Sequence, residues 1–191
     1  MKMNIQQAIS ERRSHRQYTG QTIPPKEMTE ILEAGLLAPS PKNRQPWHFV
    51  SCGPQIKNQI ISLFKKKIED FRTESKELGS LPISTKAIEE GAELLLVYNP
   101  YANKEQEYKK NRWKADILSI GACIQNMLLT ALGKDIQTLW ICDILFLEDE
   151  INALLRIDEE LVSGVVFGKG TRKSIPQRPR VELEDKLIRT D

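Results

Sequence analysis

The chain has 191 residues, 40% of them apolar and 28% charged, and a formal net charge of +2 from 28 basic and 26 acidic side chains. That is the composition of one ordinary soluble domain, which excludes collagen-like, disordered and disulfide-framework chains. The near balance of charge argues against a dedicated nucleic-acid binder, which carries a large basic excess.

The first predicted element covers residues 4–13, with Ile5, Ala8 and Ile9 at helical spacing. Arg12, Arg13 and Arg16 follow within five residues. Thr19-Gly20 and Pro24-Pro25 mark a loop, and Pro25 suits the first turn of a second helix. Met28, Ile31, Leu32 and Leu36 form its apolar face, and it ends near Ala38-Pro39 because the residue before a proline resists helical geometry. Residues 39–46 form a polar loop with three prolines, and Trp47–Cys52 is a strand. Ile56, Ile60, Leu63 and Phe64 line the next helix, with Lys65, Lys66 and Lys67 on its other side. Residues 72–92 show no clear period and suit a surface excursion. Leu94–Asn99 is a buried strand.

The strongest helix covers residues 112–132, with Ile117, Ile120, Ile124, Met127, Leu128 and Ala131 in register and Gly133 as an end signal. Thr138–Cys142 and Val162–Phe167 are further strands, with a short helix at Ile151, Leu154 and Leu155 between them. Residues 171–191 are a basic loop followed by a short amphipathic segment. Neither repeats nor linkers interrupt residues 1–191, so one domain mixes helices and strands.

No uninterrupted apolar run approaches the ~18 residues of a membrane span, and Met1–Gln6 lacks the apolar stretch of a signal peptide. Cys52, Cys123 and Cys142 are far apart with apolar or small neighbours, as expected for buried free thiols. Two histidines leave little material for a zinc site. The chain therefore reads as cytoplasmic and metal-free.

Three constellations could carry chemistry. Arg12-Arg13-Ser14-His15-Arg16 combines guanidinium forks with a hydroxyl, a set suited to a phosphate monoester or to a solvated basic face. Ala38–Trp47 is a stiff loop whose Asn43 and Gln45 both donate and accept, which suits the edge of a heterocycle or an ordinary helix-to-strand connection. Pro176-Gln177-Arg178-Pro179-Arg180 holds two arginines in extended backbone, a second hand for an anion or a basic tail. There is no G-x-S-x-G, P-loop or G-x-G-x-x-G pattern. The reactive atoms of an enzyme with this sequence would belong to a cofactor, and no catalytic side chain stands out.

Taken together the motifs resemble the FMN-dependent nitroreductase family. They run in order: Ala8-Ile9-x-x-Arg12-Arg13-Ser14-x-Arg16-x-Tyr18, Ile31-Leu32-Glu33-Ala34, and Ala38-Pro39-Ser40-x-x-Asn43-x-Gln45-Pro46-Trp47-x-Phe49-Val50. Asp116-x-x-Ser119-x-Gly121-Ala122-x-x-Gln125-Asn126, Leu139-Trp140-Ile141 and Pro176-x-Arg178-x-Arg180 follow. The resemblance implies an α+β, three-layer α/β/α sandwich with a central, mostly antiparallel sheet. It also implies an intertwined homodimer with FMN at the subunit interface. It would place Arg12, Ser14 and Arg16 on the phosphate, ribityl chain and ring edge, with Arg13 contributing a charge or a backbone group and Arg178 and Arg180 closing on the phosphate. Pro39, Ser40, Asn43 and Gln45 would approach the flavin, partly from the partner chain. Leu139, Trp140, Ile141 and Cys142 would line one face of the ring.

The implied reaction carries hydride from NAD(P)H through flavin N5 to a nitroaromatic, quinone or similar small acceptor by a ping-pong scheme. Neither a nucleic acid nor a membrane is implied as a partner. Dehydrogenation, dehalogenation or flavin fragmentation on the same fold is a second possibility. A non-enzymatic nucleotide-binding module is a third. Asp135 and Gln137 stand where the family commonly has glycines. Residues 65–112 carry no motif that names a substrate.

Overall fold

A computed structural model of the chain describes residues 3–105, 109–171 and 175–190. Helix α1 (Ile5–Glu11) opens with a capping box, in which the Asn4 side chain accepts from the Gln7 amide and the Gln7 side chain accepts from the Asn4 amide. Then come α2 (Pro25–Leu36), β1 (His48–Cys52), α3 (Pro54–Thr73), α4 (Leu81–Glu90) and β2 (Glu93–Asn99). The rest is α5 (Lys110–Gly133), β3 (Gln137–Ile141), α6 (Glu148–Leu155) and β4 (Glu160–Gly168).

The four strands form one sheet in the order β1-β2-β4-β3, and every neighbouring pair is antiparallel. Strand β2 explains the layering. Leu94, Leu96 and Tyr98 face one helical layer, which includes Ile60 and Phe64 of α3 and Ile88 of α4. Leu95 and Val97 face the other, which includes Ile31 of α2 and Ile120, Ile124 and Met127 of α5. A strand buried on both faces reads as a continuous apolar run, not as an alternation. On β4 the register shifts opposite Val97/Tyr98, so Val162 is an extra residue there. That bulge brings Leu161 onto the same face as Val166.

Several expectations need adjustment. Residues 81–90 are helical, so the stretch 72–92 is only partly a loop. No helix forms among the described tail residues, where a turn at Leu183–Lys186 replaces the expected amphipathic segment. Cys52 and Cys123 are buried, but Cys142 is exposed. Helix α5 is long and apolar enough to cross a membrane by length and composition, although no single apolar run in it is that long. Its apolar face instead packs into the core through Ile120, Cys123, Ile124 and Met127.

Gly133 closes α5, but the left-handed residue is Asp135, with φ of 55°. The Asp135 amide donates to the Leu132 carbonyl at 3.0 Å, and the Ile136 amide donates to the Ala131 carbonyl at 2.9 Å. This is a Schellman ending, with Ile136 buried as its apolar partner. It gives a local reason why a glycine would suit position 135.

Candidate functional site

The basic segment after α1 is laid along the sheet edge. Ser14 bridges Thr138 of β3 in parallel, and the His15 amide donates to the Thr138 carbonyl at 2.9 Å. Tyr18 bridges Gly170, and the Thr171 amide donates back to the Gln17 carbonyl at 3.2 Å. The Tyr18 hydroxyl, buried, donates to the His15 carbonyl at 2.9 Å. Residues 14–18 are thus clamped between β3 and the chain leaving β4.

Charge gathers on this clamp. The Arg12 guanidinium has a lowered pKa, from burial first and then from Arg13 and Arg180. Arg13 donates to the carbonyls of Ser10 and Arg12 at 2.6 and 2.8 Å and to Gln177 Oε1 at 3.2 Å. Its Nε is buried without a partner. Arg16 donates to the Ser14 carbonyl at 3.2 Å. Among the described residues no carboxylate pairs with Arg12, Arg13, Arg16, Arg178 or Arg180, whereas Arg72 and Arg112 each have one and Arg44 has two. A guanidinium whose pKa is lowered by its like-charged neighbours, next to an unused buried donor, has the chemistry to suit an anion.

Beside them lies a cleft of about 540 Å³. Ser14, His15, Arg16 and Gln17 form one wall, Pro82, Ile83 and Lys86 of α4 a second, and Thr171 and Ile175 a third. Burial, then the charge of Arg12, lowers the His15 pKa, so this buried imidazole favours its neutral form. The α4 residues were missed from the sequence. The nearest signal was Pro82, in the first turn of a short helix whose Ser84, Thr85 and Lys86 hide its amphipathic period.

The loop at 39–45 lies elsewhere. None of Pro39, Ser40, Asn43 or Gln45 lines this cleft. Lys42, Asn43 and Gln45 all hold positive φ, of 54°, 55° and 51°. Three non-glycine residues in that region within four positions mark a strained, over-determined loop. The Ser40 hydroxyl accepts from the Gln45 amide at 2.9 Å. Arg44 anchors the loop: it donates to Asp116 of α5 at 3.1 Å and to Glu105 at 2.6 Å, and it stacks 3.8 Å over the Tyr101 ring. Asp116 is buried.

Along β3 the strand alternation divides the four candidate residues. Leu139 and Ile141 are buried in the core, which leaves only their backbone available. Trp140 and Cys142 present side chains outward, with the Trp140 ring edge over Gly121 of α5. Arg178 and Arg180 are exposed, and Arg180 is close enough to Arg12 to shift it.

The sequence profile of the nitroreductase family matches residues 9–169. The chain belongs to the nitroreductase family. Its class of chemistry is therefore oxidation–reduction. Over 183 residues it is 30% identical to a protein of Archaeoglobus fulgidus named as a candidate NADH dehydrogenase/NAD(P)H nitroreductase, covering 94% of this chain and 90% of that one. Among solved structures it is similar to a candidate nitroreductase of Desulfovibrio desulfuricans in complex with FMN. That match has a TM-score of 0.75 and 22% identity, and covers 100% of this chain and 99% of the other. The NADPH:FMN oxidoreductase of Vibrio harveyi, complexed with NAD+, matches with a TM-score of 0.78 and 19% identity over 96% of this chain and 76% of its own. The nitroreductase-family fold thus extends over the whole sheet and its helical layers.

Proposed function

We propose that this chain is an FMN-dependent NAD(P)H oxidoreductase whose arginine cluster holds the flavin phosphate. The observation that carries this is the carboxylate-free group of Arg12, Arg13, Arg16 and Arg180 beside an open cleft. A phosphate with nearly two negative charges suits it, each charge-assisted hydrogen bond contributing roughly 1.5–3 kcal/mol. The chemistry the flavin supplies when bound is two-electron transfer from NAD(P)H to a nitroaromatic, quinone or similar small acceptor, the two substrates using one pocket in turn.

The chain's own residues bind and orient. Arg12, Arg13, Ser14, Arg16, Arg178 and Arg180 take the phosphate and ribityl end. Trp140 and Cys142, with the backbone of Leu139 and Ile141, offer a surface for one face of the ring. Lys86 lines the cleft with its ammonium shared with Glu90 at 3.5 Å, one turn on along α4.

The active unit is a homodimer. Pro39, Ser40, Asn43 and Gln45 do not line the cleft of their own chain, so they serve the partner's. Exposed apolar side chains support a second copy: Leu118 of α5 is 75% exposed and Ile5 of α1 is 65% exposed, and Leu183 and Ile188 of the tail are exposed as well. Three free thiols fit a reducing, cytoplasmic setting.

The test is direct. Purified protein should be yellow, with a flavin band at about 450 nm, and should oxidise NADH or NADPH when a nitroaromatic or quinone is added. Colourless protein that takes up no added FMN would overturn the reading. Flavin reduced by NAD(P)H without turnover on any acceptor would shift it to specialised chemistry on the same fold.

A further inference from the structure

The flavin reading leaves the polar flank of α4 unexplained. Ser80 is the N-cap residue of this helix, but its side chain makes no capping hydrogen bond. Its hydroxyl donates to Asp143 Oδ1 at 2.9 Å. Ser84, one turn on and buried, donates to Asp143 Oδ2 at 2.5 Å. Both carboxylate oxygens are therefore taken by hydroxyls from one helix.

The position of Asp143 gives this contact its interest. It directly follows Cys142 and opens the 3-10 turn (Asp143–Leu147) that leaves β3. At 100° per residue, Ser80 and Ser84 lie about 130° around α4 from the mean direction of Pro82, Ile83 and Lys86, which face the cleft. One carboxylate thus ties the α4 wall of the cleft to the end of β3. Hydroxyl–carboxylate bonds are short and about twice as strong as neutral ones. The remaining anchors of α4 include the apolar Leu81, Ala87 and Ile88, whose packing is non-directional, and, at the far end of the helix, Glu90, which accepts from the Tyr18 amide at 3.1 Å. A polar contact fixes one rotation and one register where apolar packing tolerates several.

We propose that Asp143, gripped by Ser80 and Ser84, is a positioning residue that sets the rotation of α4, and so the placement of Lys86 and Ile83 in the flavin cleft, relative to the end of β3. The inference rests on the flavin reading above. It predicts that the clamp governs how tightly FMN is held and how its ring is surrounded, beyond any effect on folding.

The test is an FMN titration of the full-length protein, followed by flavin fluorescence quenching and by the visible spectrum of the bound flavin. The variants are Asp143→Ala, Asp143→Asn and the double change Ser80→Ala/Ser84→Ala, each with its thermal midpoint measured without FMN. The expected result is about a tenfold or greater rise in Kd and a shifted visible band for Asp143→Ala and for the double serine variant. Asp143→Asn, whose amide can both accept from and donate to the serines, should recover at least part of both. Should Asp143→Ala fail to fold, the double serine variant carries the test. Wild-type affinity and spectrum in folded variants would overturn the inference, as would a loss of affinity that merely tracks the thermal midpoint with no change in the spectrum. Wild-type protein that binds no FMN would instead overturn the flavin reading, and the inference with it.

Discussion

Arg13 donates through Nη2 to Gln177 Oε1 at 3.2 Å, a contact between residues 164 positions apart. It joins the basic segment after α1 to the Pro176–Arg180 segment near the other end of the chain. Arg180 also depresses the pKa of Arg12. Two clusters that are separate in the sequence are thus one electropositive surface in a single chain, and a net charge of +2 conceals it.

His15 gives this surface a pH signature. Burial and Arg12 lower its pKa from the usual 6.5. The unfolded chain therefore binds a proton that the folded chain resists, so the stability from the neutral imidazole is complete above pH 6.5 and is lost as the pH falls below it. The thermal midpoint should drop more steeply between pH 7.5 and 5.5 in wild type than in His15→Asn. Parallel curves for the two proteins would show that His15 titrates normally.

Gly168 closes β4 against Tyr18. A Cβ placed there would lie 2.6 Å from Tyr18 Cδ1 and 3.3 Å from the Ala92 amide nitrogen. Tyr18 is buried and its hydroxyl is committed to His15. Gly168→Ala should destabilise by about 1–3 kcal/mol through overpacking, measured by urea unfolding. An unchanged midpoint would mean that the Tyr18 clamp yields freely.

Arg44 should matter to the loop more than its position between the motif residues suggests. Arg44→Ala removes charged hydrogen bonds to Asp116 and Glu105 and the stack on Tyr101. We expect a loss of about 1.5–3 kcal/mol together with weaker FMN retention, because Lys42, Asn43 and Gln45 would no longer be held at positive φ. Chemical denaturation and flavin content after dialysis measure the two effects separately.

Asp135 tests the departure from glycine. Its side chain is exposed, makes one hydrogen bond to Gln137 at 3.1 Å and sits 3.7 Å from Lys169. Asp135→Gly should be neutral to stabilising, by up to about 1 kcal/mol, as left-handed strain is relieved. Asp135→Val should destabilise, because a β-branched residue resists that conformation.

What the sequence made legible follows from which forces are local. Helix α5 was readable because Ile120, Ile124, Met127 and Leu128 repeat at helical spacing, and β2 because a strand buried on both faces is an apolar run. The arginine segments were readable as local concentrations of basic charge at residues 12–16 and 178–180. Helix α4 was obscured because Ser84 and Thr85 are buried polar residues satisfied by Asp143 and by the Leu81 carbonyl. The cleft's second wall, the Arg44 anchor and the Asp143 clamp are tertiary pairings between residues 59 to 72 positions apart. No local pattern encodes them. The split of Leu139–Cys142 into buried and outward residues needed the strand's orientation, which only the sheet supplies.

The most direct test of the account is the FMN affinity of Arg12→Ala and Arg180→Ala set beside their stability without FMN. Each change removes one charge from a cluster of like charges, so the flavin-free thermal midpoint should stay level or rise. FMN affinity should fall by about 10- to 100-fold for each, the loss of one charge-assisted hydrogen bond. Unchanged flavin affinity in both variants would contradict the claim that the two arginine segments meet on one phosphate.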